Sequence, residues 1–179
     1  MKQNRTLALI LPAFGAAIIA ALAQIIIPIG AVPITLQTFA VGLVAAILKP
    51  REATLAATLY LILGAIGLPV FAGGGGGIQA FFGPSAGYLL AYPFFALVTS
   101  TLTHAKTPIW KIFLAFVLGD VLVFVGGILS LHFLGKMGWS AAVAVGLTPF
   151  IIPDLLKGLI VSLVTKPVLK ALKNHSYFN

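Results

Sequence analysis

Six apolar segments, residues 6–27, 34–48, 52–67, 84–103, 108–134 and 148–172, make up most of this chain, separated by connections rich in proline and glycine. A soluble fold cannot hide so much apolar surface. Hydrophobic residues are 60% of the 179 and charged residues 8%, with a mean hydropathy of +1.14. At about 20 residues per crossing the length accommodates six spans. The expectation is an all-α integral membrane protein forming one domain over residues 1–179. Segments 34–48 and 52–67 are short for spans, so tilting or shielding by neighbours is expected there. No internal repeat stands out, which argues against an inverted-repeat transporter.

The basic residues fall at alternate turns. Lys2 and Arg5 precede the first segment, Lys49 and Arg51 share a tight turn, Lys106 and Lys111 flank another, and Lys166, Lys170 and Lys173 end the chain. The connections at residues 28–33 and 68–83 carry no charge. This asymmetry predicts an even number of spans with both termini in the cytoplasm, Lys136 alone falling on the opposite side. The same spread argues against a nucleic-acid patch, although the formal charge is +8. The absence of cysteine excludes disulfides, thiolate metal sites and cysteine nucleophiles. The N-terminal stretch resembles a signal peptide, with Ala21-Leu22-Ala23 before Gln24 as a cleavage site. Its long apolar run and the membrane-spanning remainder favour a retained helix instead.

Inside the last segment Lys157 follows Asp154 by three positions, which puts both side chains on one helical face. An ionisable group at membrane depth marks a functional site by default. Entering at Pro149, the helix carries Lys157 roughly 12 Å inward at about 1.5 Å per residue, within reach of the outer surface. A structural ion pair, extended by Asp120, is one explanation. Burying ions merely to hold helices together rarely outperforms apolar packing. A ligand with donors and acceptors explains them better: Asp154 accepts N–H bonds and Lys157 donates to a carbonyl or neutralises a carboxylate. Asp120, about 18 Å from Pro108 on the same rise, lies near the midplane, and a proton relay through it is a competing idea.

The connection after Gly67 holds Phe71, a glycine run from Gly73 to Gly77, then Gln79, Phe81 and Phe82. No Gly-Lys-Ser/Thr follows, so a phosphate loop is excluded. A spacer has little use for aromatic residues. The expected role is a mobile lid whose glycines permit close approach and whose aromatic rings cover an apolar ligand. Pro84 is expected at the first position of the next helix, whose N–H groups, with Ser85 and Tyr88, face an anion such as a carboxylate. In the first segment Ala13, Ala17 and Ala21 form one row of small residues and Ala16 and Ala20 another. Either row suits packing within the bundle or docking of a membrane partner. Asn4, His104, His132 and His175 assemble into no catalytic or metal constellation, and no nucleophile has a base beside it. The chain reads as a binder or conductor, with no cofactor.

Four motifs now become specific: Val32-Pro33-Ile34-Thr35-Leu36-Gln37-Thr38, Gly67-Leu68-Pro69-Val70-Phe71 with its glycine run, Gly83-Pro84-Ser85-Ala86-Gly87-Tyr88-Leu89, and Pro153-Asp154-Leu155-Leu156-Lys157. Together, in this order and across essentially the whole chain, they resemble BioY, the biotin-binding S component of energy-coupling factor (ECF) transporters. The resemblance implies a six-helix S-component fold that holds biotin near the external face, beneath the loops joining helices one to two and three to four. It implies as substrate contacts Asp154, Lys157, Gln79, Tyr88, Ser85, Phe71, Gly73, Gly74, Thr35 and Gln37. It also implies partners, namely a membrane scaffold (the T component) docking on Ala13, Ala16, Ala17 or Ala20, and two cytoplasmic ATPases. The location implied is a prokaryotic plasma membrane, spanned several times. Some relatives have an arginine after the Gly-Tyr turn, where this chain has Leu89-Leu90-Ala91; Ser85, the helix N-terminus or Lys157 is then expected at the ligand carboxylate. The alternatives are a solitary proton-coupled carrier and an S component for another vitamin.

Overall fold

The computed structural model describes residues 5–28, 32–172 and 177, with seven α-helices among them. Lys2, Asn4, Lys173 and His175 lie outside the described residues. The first helix, α1, is Arg5–Leu22; a two-residue ribbon follows, with β1 Ile26–Ile27 antiparallel to β2 Ile34–Thr35. Then come α2 Gln37–Ile47, α3 Pro50–Ala65, α4 Ala86–Leu102, α5 Ile109–Phe133, α6 Trp139–Gly146 and α7 Ile151–Leu172. α5 is long and apolar enough to cross a membrane; α6 and α7 pass the same test only as a pair bent by 43°. Residues 6–22 of α1, together with α2 and α4, are shorter apolar helices; of the two segments expected to be short, only 34–48 is represented among them, by α2.

Local chemistry explains the helix ends. Pro50 starts α3, where its missing N–H costs nothing, and Glu52 sits in the first turn. At the other end of α3, Gly67 has φ +101° while its N–H donates to Gly64 O and that of Leu68 to Leu63 O. That is a Schellman stop, and only glycine takes its left-handed position without strain. Pro84 does not open α4 as expected, because Gly83 and Pro84 belong to a turn and the helix begins at Ala86. The last segment, expected from residue 148, forms α7 from Ile151, and the turn around Pro149 separates it from α6, which lies before that segment.

Packing relies on glycine facing aromatic rings or backbone. A Cβ on Gly87 of α4 would overlap the carbonyl of Gly126 on α5, and one on Gly127 would overlap the Tyr88 ring. Lipid tails supply no hydrophobic drive between helices, so such close approach takes its place. Deeper in the bundle the Phe116 ring fills the space that side chains on Gly42 of α2 and Gly158 of α7 would need. Phe95 meets it edge-on, centroids 5.2 Å apart. α1 packs against α3 and α2 through fully buried Ala16 and Ile19, and Ala23 beyond its end is equally buried. Of the alanine rows, then, Ala16 is internal and Ala20 half-buried, while Ala13, Ala17 and Ala21 face outward.

At the end of the bundle where α2 gives way to α3, Tyr177 donates to buried Glu52 Oε2 at 3.0 Å and accepts the Lys49 N–H at 2.9 Å. Lys49 Nζ lies 4.8 Å from the centre of the same ring. Glycine contacts as tight as that of α4 on α5 make a direct prediction. Gly87→Ala should lower the melting temperature of the detergent-solubilised protein, at a cost of about 1–3 kcal/mol typical of overpacking. Gly138→Ala, where nothing lies within 4 Å, should leave it unchanged.

Candidate functional site

A cavity of about 350 Å³ opens at the end of the bundle opposite Tyr177, between α2, α4, α5 and α7 and beneath two connections. Its size suits a small organic molecule. The walls are largely apolar, from Val32 and Pro33 before β2, Leu89 and Tyr92 on α4, Val123 and Phe124 on α5, and Phe150 before α7.

The charged pair sits on α7, with Asp154 4% and Lys157 7% exposed. Lys157 Nζ forms a tight ion pair with Asp154 Oδ1 and donates to Thr38 Oγ1 at 3.0 Å, while Thr38 donates to Asp154 Oδ1 at 3.2 Å. A single hydroxyl on α2 thus accepts from the cation and donates to the anion. Both charges line the cavity. The two residues thus form an ion pair, and that pair lines the cavity. Beside it Gln37 donates to Tyr60 OH at 2.6 Å and accepts from Thr35 Oγ1 at 3.1 Å. Gln37 is consequently well engaged within the protein, and Tyr60 stands behind it, 6.5 Å from the Tyr92 ring centre.

The glycine run is an ordered turn rather than a slack loop. Phe71 N–H donates to Gly75 O at 2.9 Å and Gly77 N–H to Gly64 O at 2.7 Å. Gly73, Gly74 and Gly77 all have positive φ, which is why the run is glycine. Gln24, just past α1, brackets this turn by directing its Nε2 at the carbonyls of Val70 and Phe71, each 3.3 Å away. The Phe71 ring lies over Gly64, edge-on to Tyr60 and Phe81 at 5.4 and 5.8 Å. It is anchored beneath the turn and lines the cavity.

Of the ten expected contacts, Thr35, Gln37, Phe71, Gln79, Ser85, Tyr88, Asp154 and Lys157 converge on this cavity. Gly73 and Gly74 do not. Their left-handed backbones turn the chain at the exposed tip, and the wall below is Ala72, Gly75 and Gly76. Tyr88 reaches the cavity with its ring, but its hydroxyl donates to Gly146 O at 2.7 Å. The start of α4 is a poorer anion site than expected, since the N–H groups of Ala86 and Tyr88 already bond Gly83 O and Ser85 O. Phe81 lies behind Phe71, and Phe82 is 72% exposed, away from the site.

Sequence reasoning did not single out Thr38, Tyr92, Phe124 or Phe150. Tyr88 and Tyr92 are one helical turn apart, so spacing alone could have paired them. Thr38 ends a recognised motif, but its role depends on α2 meeting α7, a long-range contact no local pattern carries.

The BioY family profile matches residues 1–174. The chain is similar to biotin transporter BioY2 of Lactococcus lactis, 43% identical over 180 residues and covering 99% of each chain. It is also similar to biotin transporter BioY of Thermotoga maritima, 38% identical over 142 residues, 79% of this chain and 83% of that one. In shape it matches a crystal structure at 2.1 Å of the S-component for biotin from an ECF-type ABC transporter, with a TM-score of 0.86, 28% identity and 100% coverage of both chains. With sequence and shape agreeing over the full length, the chain belongs to the BioY family.

Proposed function

We propose that this chain is the membrane-embedded subunit that captures biotin from outside the cell for an ATP-driven ECF transporter. The observation that carries this reading is the Asp154–Lys157–Thr38 cluster set into an otherwise apolar cavity in a chain of the BioY family. Relatives named as biotin transporters supply the ligand. BioY proteins are transporter components and not enzymes. A bicyclic ligand would lie against Phe71, Tyr88 and Tyr92, with its ureido N–H groups at Asp154 and its carbonyl at Lys157. At the mouth, Ser85 and Gln79 would meet the carboxylate, because Leu89 makes an apolar wall after the Gly-Tyr turn.

The same reading gives six crossings of a prokaryotic plasma membrane, the last formed by α7 with α6 at its entrance. Both termini lie in the cytoplasm, at the end bearing Lys49, Arg51, Lys106, Lys166 and Lys170. Delivery would follow rotation of this subunit against a scaffold, driven by two cytoplasmic ATPases. The outward row Ala13 and Ala17 is the face for that scaffold. It is flanked by Leu9 and Phe14, which are 75% and 64% exposed, whereas Ala16 is already used within the bundle.

Isothermal titration of purified protein tests the ligand: biotin should bind, and thiamine and riboflavin should not. Asp154→Asn and Lys157→Ala should each weaken biotin by at least about 30-fold, from the ~2–5 kcal/mol typical of truncating one partner of a buried charge pair. Thr38→Val should weaken it less, by the ~0.5–1.5 kcal/mol of one hydrogen bond. Unchanged affinity in all three variants would rule out this site. For the partner face, Ala17→Trp should abolish co-purification with the scaffold subunit while biotin titration remains normal.

A further inference from the structure

Asp120 lies deep in the bundle without contributing to the cavity wall. It is 5% exposed, and its Oδ1 is buried with no hydrogen-bond partner among the described residues. A carboxylate left so in hydrocarbon needs a reason.

Its level in the bundle supplies one. On α5 the inward stripe runs Phe116, Asp120, Val123 and Phe124, the last two lining the cavity. Phe116 packs on Gly158 of α7. The two helices run in opposite directions, so one turn toward the cavity leads from Phe116 to Asp120 and from Gly158 to Asp154. The two carboxylates therefore stand at one level on facing helices, with Lys157 in the same layer. The charges of Asp154 and Lys157 both act on Asp120, and Tyr92 of α4 is the further titratable group that senses it. α2 and α6, which also touch α5, bring Thr38 and no ionisable side chain to this layer.

One ammonium thus serves two carboxylates. In the structure it rests on Asp154 and Thr38, leaving Asp120 uncompensated. We propose that Lys157 is shared: before a ligand arrives its ammonium is held by Asp154 and Thr38, and when ligand N–H groups take the acceptors of Asp154 one of its three N–H groups turns to Asp120 while another stays at the cavity for the ligand carbonyl. Asp120 is then a positioning residue that frees Asp154 to bind without stranding a cation. This rests on the functional reading above only in requiring a ligand with N–H donors. Packed helix axes generally lie about 8–10 Å apart, so the proposed move asks for a swing of the lysine stem and no shift of the helices.

Two measurements test it. The first needs no ligand. Lys157→Met leaves the carboxylates facing each other without a cation and should lower the melting temperature, while Asp120→Asn added to it should restore at least half of the loss. If Lys157→Met does not survive purification, the yield of folded protein with and without Asp120→Asn is read instead. A double variant no more stable than Lys157→Met would overturn the shared cation. The second is biotin titration. Asp120→Asn keeps the shape but removes the charge, and should weaken binding about tenfold or more, with Asp120→Glu recovering part of it. Unchanged affinity in Asp120→Asn would overturn the transfer. Failure of the wild-type protein to bind biotin would instead strike the functional reading, and the stability cycle would still decide whether the cation is shared.

Discussion

Hydrocarbon offers no hydrogen bonds, so a buried ammonium must be satisfied by the chain that carries it. Lys157 sets that demand, and α2 and α7 meet it together through Thr38 and Asp154. The cluster fixes the rotation of both helices about their own axes, because turning either would strand a charge. It also decides what else each helix can do. α2 uses the preceding residue, Gln37, to reach Tyr60 on α3, and Tyr60 braces Phe71 under the glycine turn. Helix rotation, cavity wall and loop are thereby linked through one chain of polar and aromatic contacts.

Such a pair is weak support for stability taken alone, since well-packed apolar residues do as well or better. The bundle gets its cohesion elsewhere. Gly42 and Gly158 receive the Phe116 ring, Gly64 receives Phe71, and Gly127 receives Tyr88. Each is a large rigid side chain seated where a facing helix has no side chain. Rings held this way keep few rotamers, so the wall beside the polar cluster is shaped before any ligand arrives. Preorganisation of that kind reduces the entropy lost on binding.

Much of this was legible in the sequence because the informative patterns are local. The apolar segments gave the helices, the i,i+3 spacing gave a common face to Asp154 and Lys157, and the family resemblance named eight residues that line the cavity. The rest depends on contacts between distant segments. Nothing near Thr38 announces that it will bridge a cation and an anion on α7. Both alanine rows have the same spacing, and only the neighbours of α1 make Ala16 internal and Ala17 external. The break at Pro149 was visible as a proline, but the separate helix α6 before it was not. Its eight residues, apolar except for Ser140, read equally well as the start of a span or the end of a loop. The glycine run reads as slack because glycine permits many conformations; the structure uses a few left-handed ones, held by bonds to the carbonyls of Gly64 and Gly75 and by those that Gln24 donates.

The Phe116 ring, wedged among α2, α4, α5 and α7, has a consequence of its own. It seals the bundle immediately below the polar cluster, and Phe95 doubles the seal. The cavity is accordingly a cup and not a tunnel. The mouth lies under the glycine turn, whereas the opposite side of the polar cluster is filled by these two packed rings. For such a protein to move its cargo across a membrane, the cup has to be carried or tipped, with its rim presented to one side and then the other.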